Sequence, residues 1–422
     1  MRLSDTVASA LIARLPVEST ATAVRRGDTT VVGVEPSRLV VADGPGAIDH
    51  LDALGPGFWV GWCSFELGHT LERVQPRAAT LEPASVPDLL FARFDAIAVV
   101  AADGSVDVTG DGPGRALLDR TACVLRDGDP VTVAPLPTGQ WHSRLDRDAY
   151  RARVDAVLEL LGAGECYQVN LTRRLTCDHA LDPVALYGAL AHRHPAPHTA
   201  MLRVPEIADG ISVVSASPEG YLRVRGRGVE TRPIKGTAAT RAMLATSAKD
   251  HAENVMIVDL ARNDLGRVCS PGSIHVPSLC SIEAHPGLHH LVSTVNGRLR
   301  PEVGFGALVA ATFPPASVTG APKPRVLQII EELEPVRRGV YCGAFGWIDT
   351  RADDPELVEA DLAVAIRTFT ILGRGVDGCT HFGVGGGIVA DSLPDAEWDE
   401  TELKAARLLE LAGAGAGALV GS

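Results

Sequence analysis

Lysine is scarce in this 422-residue sequence, which has 39 lysine and arginine residues together but only four lysines. Arginine therefore supplies nearly all of the positive surface charge, with 39 − 4 = 35 residues. A lysine that persists under such a bias is a candidate for a task that the permanently charged guanidinium of arginine cannot perform. The four lysines are Lys235, Lys249, Lys323 and Lys404.

Positive charge as a whole is also in deficit, since the formal net charge is −13 and the pI is near 5.5. The sequence contains no basic stripe, which excludes nucleic acid and anionic membrane surfaces as partners. No apolar run approaches the ~18 residues that a membrane-spanning helix needs. Asp5 and Arg14 interrupt the N-terminal apolar stretch. We therefore predict no export signal and expect a cytoplasmic protein.

Paired cysteines are absent as well: none of the eight cysteines belongs to a C-x-x-C pair, and their spacing matches no zinc site. We expect scattered thiols in a reducing compartment.

Apolar residues make up 46% and charged residues 22% of the chain. That composition is typical of a globular protein with a large core and excludes general disorder.

The order of the predicted elements favours an α+β fold with antiparallel sheets. Short strands follow one another with turns between them, which differs from the strict strand–helix alternation of a parallel sheet. The strands predicted from period-two alternation are residues 165–177, 211–217, 221–226 and 229–234. A turn-rich stretch at 127–145 predicts a boundary between an N-terminal subdomain, 1–135, and a main domain, 145–422.

Three helices carry most of the candidate site residues. They are predicted at Ser247–Asp264, 321–334 and Pro394–Leu411. Thr246 or Ser247 is the expected N-cap of the first helix, and Asp391 and Ser392 are possible caps of the third. The Gly/Ala-rich tail after the third helix is expected to be frayed.

Two of these helices carry paired acidic residues. Asp250 and Glu253 lie at positions i and i+3 of the first helix, and Glu397 and Glu400 lie likewise on the third. This spacing places each pair on one helical face. Carboxylates converging from two helices would suit Mg²⁺, which takes few protein ligands and keeps several waters. Each pair alone is also compatible with an ordinary solvated helix surface.

A glycine-rich strand end precedes the second acidic pair, with glycine at 383, 385, 386 and 387. Glycine permits a ligand to approach the backbone closely, so that amides can bind an anion. Arg367 is a charge within the apolar stretch AVAIRTFTI. A buried arginine needs an anionic partner, which can be a protein carboxylate or the carboxylate of a ligand.

Lys235 lies in TRPIKGT, where a strand enters a turn. Partial desolvation there would lower its pKa and make it a nucleophile, although an exposed turn lysine has the same local sequence. Glu219, in the preceding turn, is a candidate proton donor if buried. His290 could orient a leaving group or satisfy a core hydrogen bond. The histidines of HRHPAPH, at 192, 194 and 198, have the pattern of a solvated loop.

These motifs together resemble the chorismate-utilising enzymes. The similarity covers residues 145–410 most strongly, and the segments GWCSFELG and PDLLFARFDA extend it into the N-terminal part. Its specificity comes from the order of many blocks rather than from any single motif. The blocks are GECYQVNLTRR, SASPEG, ETRPIKGT, KDHAENVMIVDLARNDLGRV, FPPASVTGAPKPR, RRGVYCGAFGW, AIRT and GGGIVADSLPDAEWDET.

The resemblance implies a sandwich of large antiparallel sheets flanked by helices, as in anthranilate synthase component I. It also implies that ammonia rather than water is added, because the water-adding members carry lysine where this chain has Gln168. PIKGT around Lys235 resembles the aminodeoxychorismate synthases, whereas anthranilate synthases usually read PIAGT. The alternatives are anthranilate synthase component I, an isochorismate synthase and a non-catalytic metabolite-binding subunit.

The resemblance further implies a role for each site residue. Mg²⁺ would be held mainly by Glu253 and Glu400, with Asp250 and Glu397 in support. The implied catalytic residues are Lys235 as nucleophile and Glu219 as general acid, with Gln168, Thr237 and His290. Those implied to bind chorismate are Tyr341, Arg367, Gly385, Gly387, Lys404 and Ser317. The product would be 4-amino-4-deoxychorismate, a p-aminobenzoate and folate precursor, and a separate glutamine amidotransferase subunit would supply the ammonia.

Overall fold

Two large β-sheets form the centre of the protein, whose structure is a computed structural model. It describes residues 3–75, 86–126, 136–238, 240–285, 288–351 and 358–420. Neighbouring strands are antiparallel throughout the described sheets, with one parallel pair at an edge. The predicted α+β class with antiparallel sheets is therefore confirmed.

The strands are short, and β9, β15, β16 and β21 are the longest of those described. In chain order they are β1 (Ala21–Arg26), β2 (Thr29–Val34), β3 (Arg38–Ala42), β4 (Phe58–Cys63), β5 (Leu89–Phe94), β6 (Ile97–Val100), β7 (Val106–Thr109), β8 (Gly139–Ser143), β9 (Gln168–Cys177), β10 (His198–Val204), β11 (Ile211–Ser217), β12 (Gly220–Arg225), β13 (Gly228–Arg232), β14 (Ile234–Ala238), β15 (His275–His285), β16 (Leu288–Arg298), β17 (Gly320–Ala321), β18 (Ala344–Asp349), β19 (Glu359–Val364), β20 (Thr368–Leu372), β21 (Cys379–Ile388) and β22 (Ala414–Val420).

The helices pack on the outer faces of the sheets. They are α1 (Leu3–Ile12), α2 (Leu67–Leu71), α3 (Arg115–Arg126), α4 (Arg147–Gly162), α5 (Pro183–Arg193), α6 (Arg241–Thr246), α7 (Ala248–Gly266), α8 (Phe305–Thr312), α9 (Lys323–Leu333) and α10 (Pro394–Leu411). None of the helices in the described ranges has the length and apolar character needed to cross a membrane. All eight cysteines are free thiols, as the sequence predicted.

The chain alternates between the two sheets. The first has the order β22-β8-β9-β21-β20-β11-β10-β1-β2-β6-β7, with β17 paired to β9. The second has the order β14-β16-β13-β12-β19-β18-β4-β5-β3, with β15 paired to β16. The first seven strands of the chain thus divide between both sheets. The division into subdomains 1–135 and 145–422 stays a prediction, because 127–135 lies outside the described residues.

Apolar side chains fill three cores that fix the spacing of these layers. The core between the sheets includes Phe58, Trp62, Leu202 and Phe345. The other two lie under the helices. Full burial of one large apolar side chain stabilises a fold by about 1.5–3 kcal/mol, so each core is a major contribution. The distance between groups that face each other from the two sheets is set by this packing.

The helix that carries Asp250 and Glu253 is capped as predicted. The Ser247 hydroxyl accepts a hydrogen bond from the Asp250 amide, and this residue is the N-cap of α7. The cap predicted for α10 was wrong: Leu393 occupies the N-cap position and offers no side-chain oxygen. The hydroxyl of Ser392 instead donates to Glu397 Oε1, at 2.6 Å. Its hydrogen bond therefore orients a candidate metal ligand.

The prediction of a frayed C-terminal tail was also wrong. Residues after α10 form β22, which adds to the edge of the first sheet as a parallel partner of β8. The register pairs Ala414 with Gly139 and Leu419 with Trp141. The glycine and alanine content of this segment predicted disorder. The edge of the first sheet instead supplies hydrogen-bond partners for its backbone groups.

A buried ion pair joins the end of α9 to the first sheet. Glu334 accepts the Thr172 amide of β9 at 2.8 Å, and its other contacts are with Arg338 at 2.6 and 2.9 Å. Arg338 also donates to the carbonyl oxygens of Asn170 and Val318. This network fixes β9 against the segment 334–341. The strand β9 carries Gln168 and the segment 334–341 carries Tyr341, and both are candidate site residues.

We predict that Arg338→Leu lowers the free energy of unfolding by about 3–5 kcal/mol, because it leaves the Glu334 carboxylate buried without its cation. The matched control is Arg325→Leu, whose arginine makes a surface pair with Glu165 at 2.5 Å. That change should cost at most about 1 kcal/mol. Urea unfolding followed by fluorescence measures both. Equal losses for the two variants would contradict the structural role given to Arg338.

Candidate active site

The candidate nucleophile and proton donor lie together, although they belong to different strands. Lys235 lies in β14 and Glu219 directly precedes β12. Lys235 Nζ donates to the Ser317 carbonyl at 3.2 Å, and the Ser317 side chain hydrogen-bonds Glu219. Glu219 Oε1 also accepts the Ile234 amide at 3.4 Å. Ser317 thus connects the two groups, a position that its predicted role in substrate binding did not specify.

Burial shifts both groups toward their neutral forms. Burial raises the pKa of Glu219 to about 6, against the opposing effects of Ser317, Lys235 and the Ile234 amide. The pKa of Lys235 is lowered, chiefly by burial, although Glu253 and Glu219 act in the other direction. Near neutral pH this arrangement increases the share of uncharged amine and of protonated carboxyl. These are the forms that a nucleophile and a general acid need.

Gln168 faces the same cleft with an unsatisfied amide. Its side chain is fully buried, and neither Nε2 nor Oε1 has a hydrogen-bond partner among the described residues. A Cβ atom added to Gly387 would lie 2.9 Å from Gln168 Nε2 and 3.3 Å from Lys235 Nζ. Glycine at 387 therefore leaves the space in which these two side chains meet. A buried amide without partners is costly unless a ligand satisfies it.

Glu253 of α7 and Glu400 of α10 both act electrostatically on Lys235. Burial raises the pKa of Glu253, with Lys235 and Lys249 opposing, and both Asp250 and Glu400 add to the rise. Burial raises the pKa of Glu397 as well, and the charge of Glu400 contributes. The carboxylates of α7 and α10 are thus close enough to repel one another electrostatically. The prediction that the two helices converge is consistent with this interaction.

Lysines balance part of this negative charge. Lys404 Nζ contacts Glu400 Oε1 at 2.7 Å and donates to the Gly385 carbonyl at 2.8 Å. Lys249 Nζ lies 3.8 Å from Glu253 Oε1. Burial alone would raise the pKa of Glu400, but the charge of Lys404 and its hydrogen bond outweigh burial and lower it. Lys404 links the acidic helix to the glycine-rich strand β21.

The donor set fits a Mg²⁺ ion held through few protein ligands. No three His, Cys, Asp or Glu side chains within the described ranges are grouped closely enough to form a complete metal site. Mg²⁺ commonly takes one or two carboxylates and completes its shell with water and substrate oxygens. Glu397 Oε2 is buried without a hydrogen-bond partner among the described residues, and it lies 2.9 Å from the position that a Cβ atom on Gly386 would take. The assignment of Glu253, Glu400, Asp250 and Glu397 as ligands stays a prediction.

Arg367 has no carboxylate partner among the described residues. Burial lowers its pKa, and none of the described acidic groups acts in the opposite direction. Its Nη1 lies 3.4 Å from His194 Nε2. The backbone at Arg367 has φ of 52°, an uncommon value for a residue with a side chain. The prediction that a ligand carboxylate binds this guanidinium stays a prediction.

The remaining predicted residues lie on neighbouring strands. The Tyr341 ring covers Gly383 of β21, where an added Cβ atom would lie 2.2 Å from the ring carbon Cδ1. Gly385 and Gly387 pair with Thr172 and Asn170 of β9, so all four positions share one face of the sheet. Their predicted contact with substrate is untested.

Thr237 and His290 form a directly opposed pair across β14 and β16. His290 is buried, with 2% of its surface exposed. The side chain of Thr237 lies outside what the structure describes. The catalytic roles predicted for both residues stay predictions.

His194 is a site residue that the sequence did not reveal. The histidine-rich segment 192–198 has the pattern of a solvated loop, but His194 is half-buried against Arg367. Burial, with a contribution from the charge of Arg367, lowers the pKa of His194 to about 4. His198 lies 3.4 Å from Asp361 and is likewise not solvated. The two partners of the first contact are 173 positions apart in the chain, so no local pattern could reveal it.

The fold and this cleft define an enzyme-like site that presents a partly buried amine, a buried acid and an arginine to which the described residues supply no carboxylate. The chain matches the family of chorismate binding enzymes over residues 18–410. It therefore belongs to that family, as the order of its motifs predicted.

Two relatives that match the chain are named aminodeoxychorismate synthase component 1. The chain is 37% identical to aminodeoxychorismate synthase component 1 of Klebsiella aerogenes, over 85% of this chain and 78% of that protein. It is 40% identical to the protein of that name from Escherichia coli K12, over 65% of this chain and 59% of that one. The chain thus spans less than two thirds of the length of the E. coli relative.

Solved structures share the fold. The crystal structure of anthranilate synthase component I from Streptococcus pneumoniae TIGR4 superposes with a TM-score of 0.75. The sequences are 25% identical, and the match covers 91% of this chain and 92% of that one. The predicted anthranilate synthase component I-like fold is confirmed.

We predict that Gly387→Ala weakens chorismate binding by about tenfold to a hundredfold, because the methyl group displaces Gln168 and Lys235 from their positions. Calorimetric titration with chorismate measures the dissociation constant. The control is Gly162→Ala at the end of α4, where an added Cβ contacts nothing within 4 Å. If Gly387→Ala binds chorismate as the control does, these side chains do not meet the ligand at this position.

Proposed function

We propose that the protein aminates chorismate with ammonia to give 4-amino-4-deoxychorismate, as the names of its aminodeoxychorismate synthase relatives suggest. The observation that carries the proposal is the buried Lys235 beside Glu219 and the unsatisfied Gln168 amide. Lysine at this position supplies a nucleophile, and glutamine at 168 supplies no base for activating water. This combination favours amination over hydration of the ring.

The proposed reaction has two halves, and each uses groups that the structure brings together. The neutral Lys235 amine attacks C2 of the ring while the C4 hydroxyl leaves with the proton of Glu219, as water. Ammonia then attacks C4 of the covalent adduct, and the bond from C2 to Lys235 breaks. The proton released by the new amine returns to Glu219. The number of protons on the enzyme is therefore the same before and after the cycle.

Binding of the substrate is assigned to cationic side chains, a tyrosine and backbone amides. Arg367 would accept the enolpyruvyl carboxylate, with Tyr341 and the amides near Gly385 and Gly387 beside it. His194 would orient Arg367 as a neutral acceptor, since its pKa is low. Lys404 and Arg367 would supply local positive potential in a chain whose net charge of −13 repels a dianion.

A bound Mg²⁺ ion would neutralise the ring carboxylate of chorismate, and Glu253 and Glu400 would hold it with Asp250 and Glu397 in support. The carboxylates of α7 and α10 repel one another without a cation. Metal and substrate should therefore bind cooperatively, since each reduces the charge that the other faces.

We further propose that the ammonia comes from a separate glutamine amidotransferase subunit, and that the protein acts in the cytoplasm in p-aminobenzoate and folate synthesis. The one Gly-Cys pair of the sequence, Gly378–Cys379, begins strand β21 and does not form the strand-to-helix turn of a glutaminase nucleophile. Component 1 in the names of the relatives supports a two-component enzyme. Anthranilate synthase component I remains the second candidate because of the shared fold.

Incubation of the pure protein with chorismate, Mg²⁺ and ammonium should yield 4-amino-4-deoxychorismate, identified by mass spectrometry. Chelation by EDTA should abolish the reaction, and added Mg²⁺ should restore it. Anthranilate as the main product would replace our proposal with the second candidate. Isochorismate, or no turnover with any nucleophile, would refute amination altogether.

Chorismate without ammonium should leave a covalent adduct on Lys235, visible by intact-mass measurement and peptide mapping. Lys235→Ala should lose the adduct and at least about a thousandfold in rate, because the nucleophilic route is removed. Lys235→Arg keeps the charge but has no neutral amine, so it should be equally inactive. Arg262→Lys, at an exposed position of α7 where the arginine pairs with Asp259, is the matched control and should retain activity. An active Lys235→Arg enzyme would exclude covalent catalysis by this residue.

A further inference from the structure

A second cavity reaches Glu219 from the side of helix α7. Its volume is about 30 Å³, room for a water-sized molecule, and its inner end is lined by Glu219 and Ser317, of which 4% and 7% is exposed. Its outer end is formed by Thr231 of β13 and Ala261 of α7, which are partly exposed. We call this cavity the Glu219 passage. It joins the surface beside α7 to the candidate general acid.

The Glu219 passage is separate from the cleft in which Lys235 meets the glycine-rich strand. Gln168, Gly387 and Lys404 surround that cleft, and none of them is among the described residues that line the passage. Glu219 is therefore approached from two directions. One side faces Lys235, and the other faces the passage.

The walls suit a small neutral molecule rather than an anion. The described lining contains no arginine, lysine or histidine. Its second acid, Asp264, is paired with Lys323 at 3.0 Å. Apolar surface comes from Ile257 and Leu265, and hydroxyl groups come from Thr231, Thr312 and Ser317. Such hydroxyls can exchange hydrogen bonds with water or ammonia, whereas a dianion such as chorismate would find no compensating charge.

We infer that the Glu219 passage delivers ammonia to the reacting carbon and releases the water formed from the leaving hydroxyl. The inference rests on the proposed function. In that reaction the group that leaves C4 takes its proton from Glu219, and ammonia then forms the new bond at the same carbon. The nucleophile must therefore arrive where the carboxyl group lies. The passage ends at that carboxyl group, so the incoming amine can return its proton to Glu219 as it bonds.

A change to the passage should alter only one of the two halves of the reaction. Formation of the Lys235 adduct needs chorismate, which binds from the other cleft. Opening of the adduct needs ammonia, which uses the passage. Narrowing the passage should therefore slow the second half, so that the adduct accumulates while chorismate binding is unchanged. A general loss of folding or of active-site geometry would reduce both halves together.

The test narrows the passage from opposite walls with Ala261→Leu and Thr231→Ile, in the full-length chain. Both replacements suit their helix or strand. Asn263→Leu adds an apolar side chain at an exposed position of the same helix and is the matched control. Steady-state kinetics give the Michaelis constants for ammonium and chorismate, and intact mass gives the fraction of enzyme held as adduct. Melting temperatures confirm that the variants are folded.

We expect each narrowing variant to raise the Michaelis constant for ammonium by about tenfold, because Ala261→Leu adds three carbons and Thr231→Ile removes a hydroxyl and adds one heavy atom in a tight passage. The constant for chorismate should stay within about twofold, and the adduct fraction during turnover should rise. Folded variants with the ammonium dependence of the control would overturn the inference and leave the proposed function intact. Loss of adduct formation in both variants would also overturn it. A wild-type enzyme that forms no aminated product would instead refute the proposed function, and the inference with it.

Discussion

The position of Lys235 among carboxylates is the constraint on which the cleft depends. Glu253, Glu219 and Glu400 all favour its charged form, yet burial prevails and its pKa is lowered. Within the described part of the chain Lys235 forms no direct ion pair, and its hydrogen bond goes to the Ser317 carbonyl. A carbonyl acceptor holds the amine in place without fixing a proton on it. Direct contact with a carboxylate would have stabilised the ammonium form and suppressed nucleophilicity.

The balance of burial and carboxylate charge that sets the pKa of Lys235 requires a fixed distance between the two sheets. Lys235 belongs to the second sheet, and Gln168 and Gly387 belong to the first. The apolar core between the sheets sets their spacing, and the buried pair of Glu334 and Arg338 fixes the strand that carries Gln168. The stability of the sandwich thus maintains a cleft that is unfavourable until a ligand enters it.

The sequence allowed the elements to be predicted better than the contacts between them. The helix from Ser247 and the acidic pairs on two helices follow from capping and from a spacing of three residues, which are local rules. The contact of Arg367 with His194 and the unsatisfied oxygen of Glu397 depend on packing between distant segments. The strand β22 depends on a free sheet edge elsewhere in the chain. No local sequence pattern encodes these contacts, so only the residues that take part in them could be identified from the sequence.

The scarcity of lysine acquires a structural reason at each of the four positions. Lys249 and Lys404 pair with the acids of α7 and α10, and Lys404 also binds the Gly385 carbonyl. Lys323 reaches both Asp264 and the Thr312 carbonyl beside the Glu219 passage. A compact ammonium group can satisfy an acid and a carbonyl in a narrow space, which the planar guanidinium fork does less readily. Three lysines thus serve the geometry around the cleft and the passage. Lys235 differs because it alone must lose its proton, which arginine cannot do at any accessible pH.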